Sequence, residues 1–356
     1  MEKTIIAGPC SVESREQLGE VTAALAAMPQ VTMIRAGVWK PRTRPGSFEG
    51  LGEVALGWMQ ELAAEYGVHY CCEVARPEHV TLCQRYGVQT VWVGARTTGN
   101  PFMVDELCQA LRGSGMRVLV KNPTTPDVRL WMGAIERLRG AGIDRLAAVH
   151  RGFAMYHNHG YRNAPLWEVV LRLRREMPEV PVLCDPSHIG GRRDLVPPLA
   201  EAARLLDYDG LMVEVHPHPD AAWTDAAQQV DPRGLTAVID AFLESRPTAD
   251  VDEAIKPVPD LAEHRLTPLR QQIDDIDHEL LSLLARRMEV SRSIAAVKRT
   301  HGMTVYQPER WNAVMADRLQ LAASLGLDTE FTRTLLEHIH AESVRLQLYN
   351  QELRNH

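Results

Sequence analysis

Eight short β-branched or apolar runs recur through residues 1–246, and a segment of helical period follows each: KTIIAGPC, VTMIRAGVW, VHYCCEVA, TVWVGAR, RVLVKNP, LAAVHRGF, VPVLCDPSH and GLMVEVHP. Strands that alternate with helices pair in parallel, and eight such units close a (β/α)8, or TIM, barrel. The ends of the runs strengthen this reading. Cys10, Arg35 with Lys40, Glu73, Arg96, Lys121, Arg151, His188 and Glu214 stand at the C-terminal edges, so every strand delivers a polar group to one rim. Barrel active sites are built at that rim.

A last barrel helix in RGLTAVIDAFLESR ends near residue 246. The following PTADVDEAIKPVPDLAEH is rich in Pro and charge, lacks an apolar period, and reads as a linker over 247–265. From Leu266 the pattern changes. Leu269, Ile273, Ile276, Leu280 and Leu283 step by 4, 3, 4 and 3, and the series resumes at Val290, Ile294 and Val297, with Arg287 in the missing place. That period is the seam of packed helices. Two more helices are expected at about 308–325 and 328–354, giving an all-α domain of three helices over 266–356 behind an α/β barrel over 1–246.

Composition narrows the function. With 45% hydrophobic and 24% charged residues and a net charge of −7, the chain is an ordinary globular protein and too acidic for a general nucleic-acid binder. No window approaches the ~18 apolar residues of a membrane span, and the N-terminus has no apolar signal core, so a cytoplasmic protein with no membrane partner is expected. Six scattered cysteines form no CxxC pair. All but Cys10 read as small buried hydrophobes.

Glu214 lies between Val213 and Val215 in a run that otherwise reads as a buried strand. An isolated charge in a dry core costs several kcal/mol, so it needs a partner. Cys10, His188, Glu214 and Asp225 are all side chains that bind divalent transition metals. Alternatively, Glu214 pairs with a cation of a neighbouring strand, Lys121 or Arg96. Residue types and spacing leave both readings open. The cations Lys40, Arg42, Arg96, Lys121 and Arg151 are a second signal: converging on one rim they repel one another, which implies phosphate or carboxylate ligands. The plainer alternative is that they neutralise acids of adjacent loops.

The ordered series AGPCS, RAGVWKPRT, GARTT, VKNP, HRGF, DPSHIGG and MVEVHP, with Asp225 after it, resembles the motifs of 3-deoxy-D-arabino-heptulosonate 7-phosphate (DAHP) synthase, type I-beta, over nearly all of residues 4–246. The resemblance implies one divalent metal ion per barrel on Cys10, His188, Glu214 and Asp225, with manganese the first expectation and iron, cobalt or zinc compatible. It implies phosphoenolpyruvate on Arg35, Lys40, Arg96, Lys121 and Arg151, and erythrose 4-phosphate on Arg42 and Thr43. Lys40 is the candidate proton donor. RAGVW in place of an RGG-type lead-in and Arg44 after KPRT are departures that bear on the aldehyde. The nearest rival, 3-deoxy-D-manno-octulosonate 8-phosphate synthase, carries KANRS where this chain has KPRT. With strand one starting at residue 4, regulation is expected from the C-terminal domain.

LRQQIDDIDHELLSLLARRMEVSRSIAAVK, YQPERW and ESVRLQ resemble the all-helical chorismate mutases over 266–356. By position the resemblance implies Arg270, Arg287, Lys298, Arg310, Ser343 and Gln347 as the groups that bind the chorismate dianion and its ether oxygen. Arg287, Lys298 and Gln347 carry the catalytic role. Arg287 and Lys298 are 11 residues apart and share a helix face, whereas Arg270 lies about 100° away. The family's intertwined dimer, in which such an Arg reaches the partner's site, implies a homodimer through this domain, or a higher oligomer built from it. Trp311 stands where the family usually has Glu contacting the substrate hydroxyl, and Gln307 where it has Asp. Because Trp accepts no hydrogen bond, two expectations stand: a working mutase, or a dimerisation module that senses chorismate or prephenate. In either case ligand binding in the helical domain is expected to feed back on the barrel.

Overall fold

The computed structural model describes residues 3–40, 46, 48–155, 160–243, 259–305 and 307–352. The chain divides into two compact units, Met1–Arg246 and Pro247–His356. In the first, β1 (Thr4–Gly8), β2 (Met33–Arg35), β3 (Tyr70–Val74), β4 (Thr90–Val93), β5 (Arg117–Lys121), β6 (Leu146–His150), β7 (Val182–Cys184) and β8 (Gly210–Glu214) form one closed parallel barrel in sequence order. Closure sets Gly8 opposite Glu214, so the first and last strands end together at the C-terminal rim. The helices are α1 (Arg15–Ala26), α2 (Glu53–Tyr66), α3 (Pro77–Arg85), α4 (Ala95–Thr98), α5 (Pro101–Leu111), α6 (Val128–Gly140), α7 (Trp167–Glu176), α8 (Pro186–Gly190), α9 (Val196–Leu205) and α10 (Pro232–Leu243).

Strands covered on both faces read as unbroken apolar runs, which is why Val91, Val93, Val118, Val120, Val149 and Val213 are all buried. All six cysteines are free and buried, so Cys10 shares the burial expected of the other five. Two glycines bring the rim together. A Cβ on Gly8, whose φ is +150°, would lie 2.1 Å from the Arg35 carbonyl oxygen, and one on Gly37 would lie 1.9 Å from that of Cys10. No other residue admits such an approach between the β1 and β2 loops.

The second unit comprises α11 (Pro259–Thr300), α12 (Pro308–Ser324) and α13 (Thr329–Glu352). The expected linker over 247–265 is therefore too long, because residues 259–265 already belong to α11. The buried side chains described in this unit are small or polar apart from Met315: Ser291, Ala295, Ala322, Thr332, Ser343 and Gln347. The seam residues are open. Ile273, Ile276, Leu280 and Leu283 are 58%, 56%, 52% and 61% exposed within the single chain. No helix among the described residues is long and apolar enough to cross a membrane.

Candidate functional site

Cys10, Glu214 and Asp225 offer a sulfur and two carboxylate oxygens that lie within 4.8 Å of one another. Each arrives differently. Cys10 follows β1 and donates its backbone N–H to Gln229 Oε1 at 3.1 Å. Glu214 ends β8, its backbone N–H bonded to Ser187 Oγ at 3.0 Å. Asp225 sits in a loop with φ +50°, a left-handed conformation that Asp tolerates better than most side chains. His188 is set by its own motif. In DPSH, Asp185 caps the short α8 by accepting from the His188 backbone N–H at 3.0 Å, and Pro186 opens the helix. The same carboxylate lies 2.8 Å from His188 Nδ1, which turns Nε2 toward Glu214 Oε1 at 3.7 Å. Three of the four expected metal residues thus form one cluster, and the fourth, His188, approaches it through Glu214.

The partner of Glu214 within the protein is neither Lys121 nor Arg96. Arg35 Nη2 lies 3.0 Å from Glu214 Oε1, with both side chains fully buried, and Gln228 donates to Oε2 at 2.6 Å. The ion pair is misaligned for hydrogen bonding: among the described residues, Glu214 Oε1 and Arg35 Nη1 are buried with no hydrogen-bond partner. Each such group costs about 1–3 kcal/mol, so one acceptor and one donor at the site are left without a hydrogen bond despite the ion pair. An S, N and carboxylate donor set fits a divalent transition ion.

Charges around this centre are partly matched, so the alternative of neutralisation by a nearby acid holds for Lys121, while Arg151 still feels neighbouring cations. Lys121 Nζ donates to Asp185 Oδ2 at 2.9 Å, and Arg162 Nη1 lies 3.1 Å from Asp225 Oδ1. Burial pushes the Asp185 carboxyl upward, but His188 and Lys121 outweigh it and hold it well below the usual carboxylate range. Burial, then Glu214, pushes the Cys10 thiol up to about 12. Lys40 Nζ donates to Cys10 Sγ at 2.7 Å and to the Cys10 carbonyl at 2.9 Å. Arg151 donates to neutral groups, Asn163 Oδ1 at 2.7 Å and the Gly152 carbonyl at 3.3 Å. Its pKa falls to about 10, first through burial and then, against the pull of Asp185, through Arg162 and Arg96. Arg96 lies in α4, just past β4. Arg42 and Thr43 lie outside the described residues. Beside Lys40 and Glu73 is a cleft of about 320 Å³, walled by Trp39 stacked on His79 with ring centroids 4.0 Å apart.

Sequence reasoning missed Asp185, Arg162, Asn163 and Gln228. Only Asp185 carried a local signal, an Asp-Pro helix start inside the quoted motif.

The helical unit holds its own cavity of about 250 Å³ between α11, α12 and α13. Arg287, Lys298, Arg310, Ser343 and Gln347, named through the chorismate mutase resemblance, line it, and so do Gln307, Trp311 and His340. Arg287 Nη1 donates to Ser343 Oγ at 2.6 Å, and burial lowers its pKa. Lys298 Nζ donates to the Val305 carbonyl at 2.5 Å. Gln347 Oε1 is buried with no partner among the described residues. The Trp311 and His340 rings stack at 3.9 Å and 15°. Arg270 is exposed on α11 and does not line the cavity of its own chain.

Residues 2–246 match the DAHP synthetase I family, and residues 269–348 match chorismate mutase type II. Phospho-2-dehydro-3-deoxyheptonate aldolase of Thermotoga maritima is 36% identical over 228 residues, 64% of this chain and 65% of that protein. The T-protein of Enterobacter agglomerans is 38% identical over 78 residues, 22% of this chain and 21% of that one. The chain thus spans less than two thirds of the length of either relative. The crystal structure of phospho-2-dehydro-3-deoxyheptonate aldolase (DAHP synthase) from Thermotoga maritima superposes with a TM-score of 0.61 at 34% identity, covering 67% of each chain. Through its barrel the chain belongs to the DAHP synthetase I family, and behind the barrel it carries a chorismate mutase type II domain.

Proposed function

We propose that the barrel condenses phosphoenolpyruvate with erythrose 4-phosphate to DAHP, the first step of the shikimate pathway, and that the helical unit rearranges chorismate to prephenate. The observation that carries the barrel reading is the pair of orphaned buried atoms, Glu214 Oε1 and Arg35 Nη1, beside a ring of metal-type donors. The first, held by an ion pair alone, can still take a cation, and the second can still donate to an anion.

Cys10, His188, Glu214 and Asp225 would hold the divalent ion, manganese first among the candidates. Bound there, it would supply Lewis-acid polarisation of the aldehyde oxygen. The protein groups do the rest. Arg35, Arg96, Lys121 and Arg151 hold the phosphate and carboxylate of phosphoenolpyruvate, and Arg42 and Thr43 hold the phosphate of the aldehyde. C3 of phosphoenolpyruvate attacks the aldehyde carbon, and Lys40 gives a proton to the oxygen that becomes the new hydroxyl. Water adds at C2 and phosphate leaves. KPRT favours the four-carbon aldehyde over arabinose 5-phosphate. Phosphoenolpyruvate consumption should depend on erythrose 4-phosphate; equal consumption with arabinose 5-phosphate would overturn the substrate assignment.

In the helical cavity Arg287, Lys298 and Arg310 bind the two carboxylates, with Ser343 fixing Arg287. The Gln347 amide donates to the ether oxygen, where charge develops as the ring compacts. The exposed seam from Leu269 to Val297 supports a homodimer that also brings Arg270 to the partner's cavity. Trp311 in the cavity wall favours a second reading, a cytoplasmic sensor that binds chorismate or prephenate without turning it over. Chorismate loss followed with the full-length protein, beside Arg287→Ala, separates the two: turnover lost in the variant establishes a mutase, and binding without turnover establishes a sensor. In both readings the ligand feeds back on the barrel. A chain ending before residue 250 should consume phosphoenolpyruvate without inhibition by prephenate.

A further inference from the structure

The helical cavity is crowded with donors. Arg287, Lys298 and Arg310 can only donate, and so can the Trp311 indole. Two acceptors near them are already engaged, and Gln347 Oε1, without a partner among the described residues, is the rival acceptor to His340. Ser343 Oγ accepts from Arg287 and donates to the Ile339 carbonyl at 2.9 Å, and the Val305 carbonyl accepts from Lys298. Chorismate brings two carboxylates and an ether oxygen, which these donors suit. It also brings a ring hydroxyl, which must itself donate. A buried hydroxyl with no acceptor is penalised.

His340, Ser343 and Gln347 fall at i, i+3 and i+7 of α13 and present one column of side chains to the cavity. The His340 ring is fixed, because it lies flat on the Trp311 indole. A fixed acceptor is worth more than one that must be ordered on binding. We propose that His340 accepts the hydrogen bond of the ring hydroxyl of chorismate, and that Trp311 is the platform that holds its imidazole in place. Burial lowers the His340 pKa, and Arg287 and Lys298 push it the same way, so the imidazole is neutral at physiological pH and keeps a lone pair. The bulky Trp311 thereby has a use that its lack of an acceptor would not suggest. The inference rests on the reading of this cavity as a chorismate site.

The test compares chorismate with its analogue lacking only the ring hydroxyl, using full-length wild type, His340→Leu and His340→Gln, with calorimetric affinity and turnover both measured. Wild type should prefer chorismate over the analogue by about tenfold, the worth of one neutral hydrogen bond. His340→Leu should erase that preference by weakening chorismate while binding the analogue as wild type does, which also shows that the cavity is intact. His340→Gln, which retains an acceptor, should recover part of it. A preference unchanged in His340→Leu, or lost in Gln347→Leu instead, overturns the assignment. Equal weakening of both ligands overturns it too, since that is a packing defect. If wild type neither binds nor converts chorismate, the reading of the cavity falls first and the inference falls with it. Calorimetry separates that failure from the others.

Discussion

The barrel and the helical unit treat their apolar and charged residues in opposite ways. The barrel closes on itself: Trp92 and Trp131 are buried, and the charges at its rim find partners within the chain, Arg35 with Glu214 and Lys121 with Asp185. The helical unit leaves its regular apolar stripe in solvent, with Leu280 52% and Val290 53% exposed. A stripe of that spacing suits packing against another helix. The barrel groups described above pair within one chain, whereas the proposed homodimer would cover the open stripe of the helix that carries Arg287 and Lys298.

Removing metal should divide the two most sharply. After exhaustive chelation, DAHP formation should fall by about 10³-fold or more, since a Lewis acid contributes several kcal/mol, while chorismate loss in the same sample stays within about twofold. Adding manganese back should restore the first activity. Loss of both on chelation would mean that the two sites are not independent.

A carboxylate on the stripe comes next in size. If Ile276 is covered by a second copy, Ile276→Asp places a charge in an apolar seam at a cost of several kcal/mol, and sedimentation should show a smaller species. If the residue is as exposed in solution as it is within one chain, the same change costs less than about 0.5 kcal/mol and the species is unaltered. The second result would break the comparison.

How much of this was legible depended on the range of the interaction. The barrel could be read because strands buried on both faces write apolar runs, and because each run ends in a group too polar to be there by accident. The four metal-type residues followed from chemical type and motif. Their partners did not. Gln228 on Glu214 and Arg162 on Asp225 come from loops whose pairing exists only once the barrel closes, and no local pattern encodes that. The rim cations were only partly predictable for the same reason: Arg151 does feel Arg162 and Arg96, but Asp185 neutralises Lys121 across 64 residues. The linker boundary failed differently: absence of an apolar period was taken as absence of helix, although Pro259 is a good first residue for one.

The smallest predicted effect concerns a histidine that belongs to the barrel wall. His150 ends β6 facing outward among Trp131, Phe153, Trp167 and Tyr208. Nε2 lies 2.6 Å from the Pro165 carbonyl, which can only accept, so Nε2 carries the proton. The Tyr208 hydroxyl then donates to Nδ1 at 2.9 Å. Both nitrogens are committed in the neutral ring, and burial lowers its pKa from 6.5 to about 3. Below pH 6.5 the unfolded chain takes up the proton while the folded one does not, so this contribution is complete above that pH and is lost as pH falls toward 3. The slope is about 1.4 kcal/mol per pH unit. Denaturant midpoints of the barrel at pH 7, 6 and 5 should fall along that slope in wild type. In His150→Gln, which offers a donor and an acceptor but does not titrate, the same window should be flatter, whatever its stability at pH 7. An equal slope in the two would assign the acid sensitivity of the closed barrel to its buried ion pairs instead.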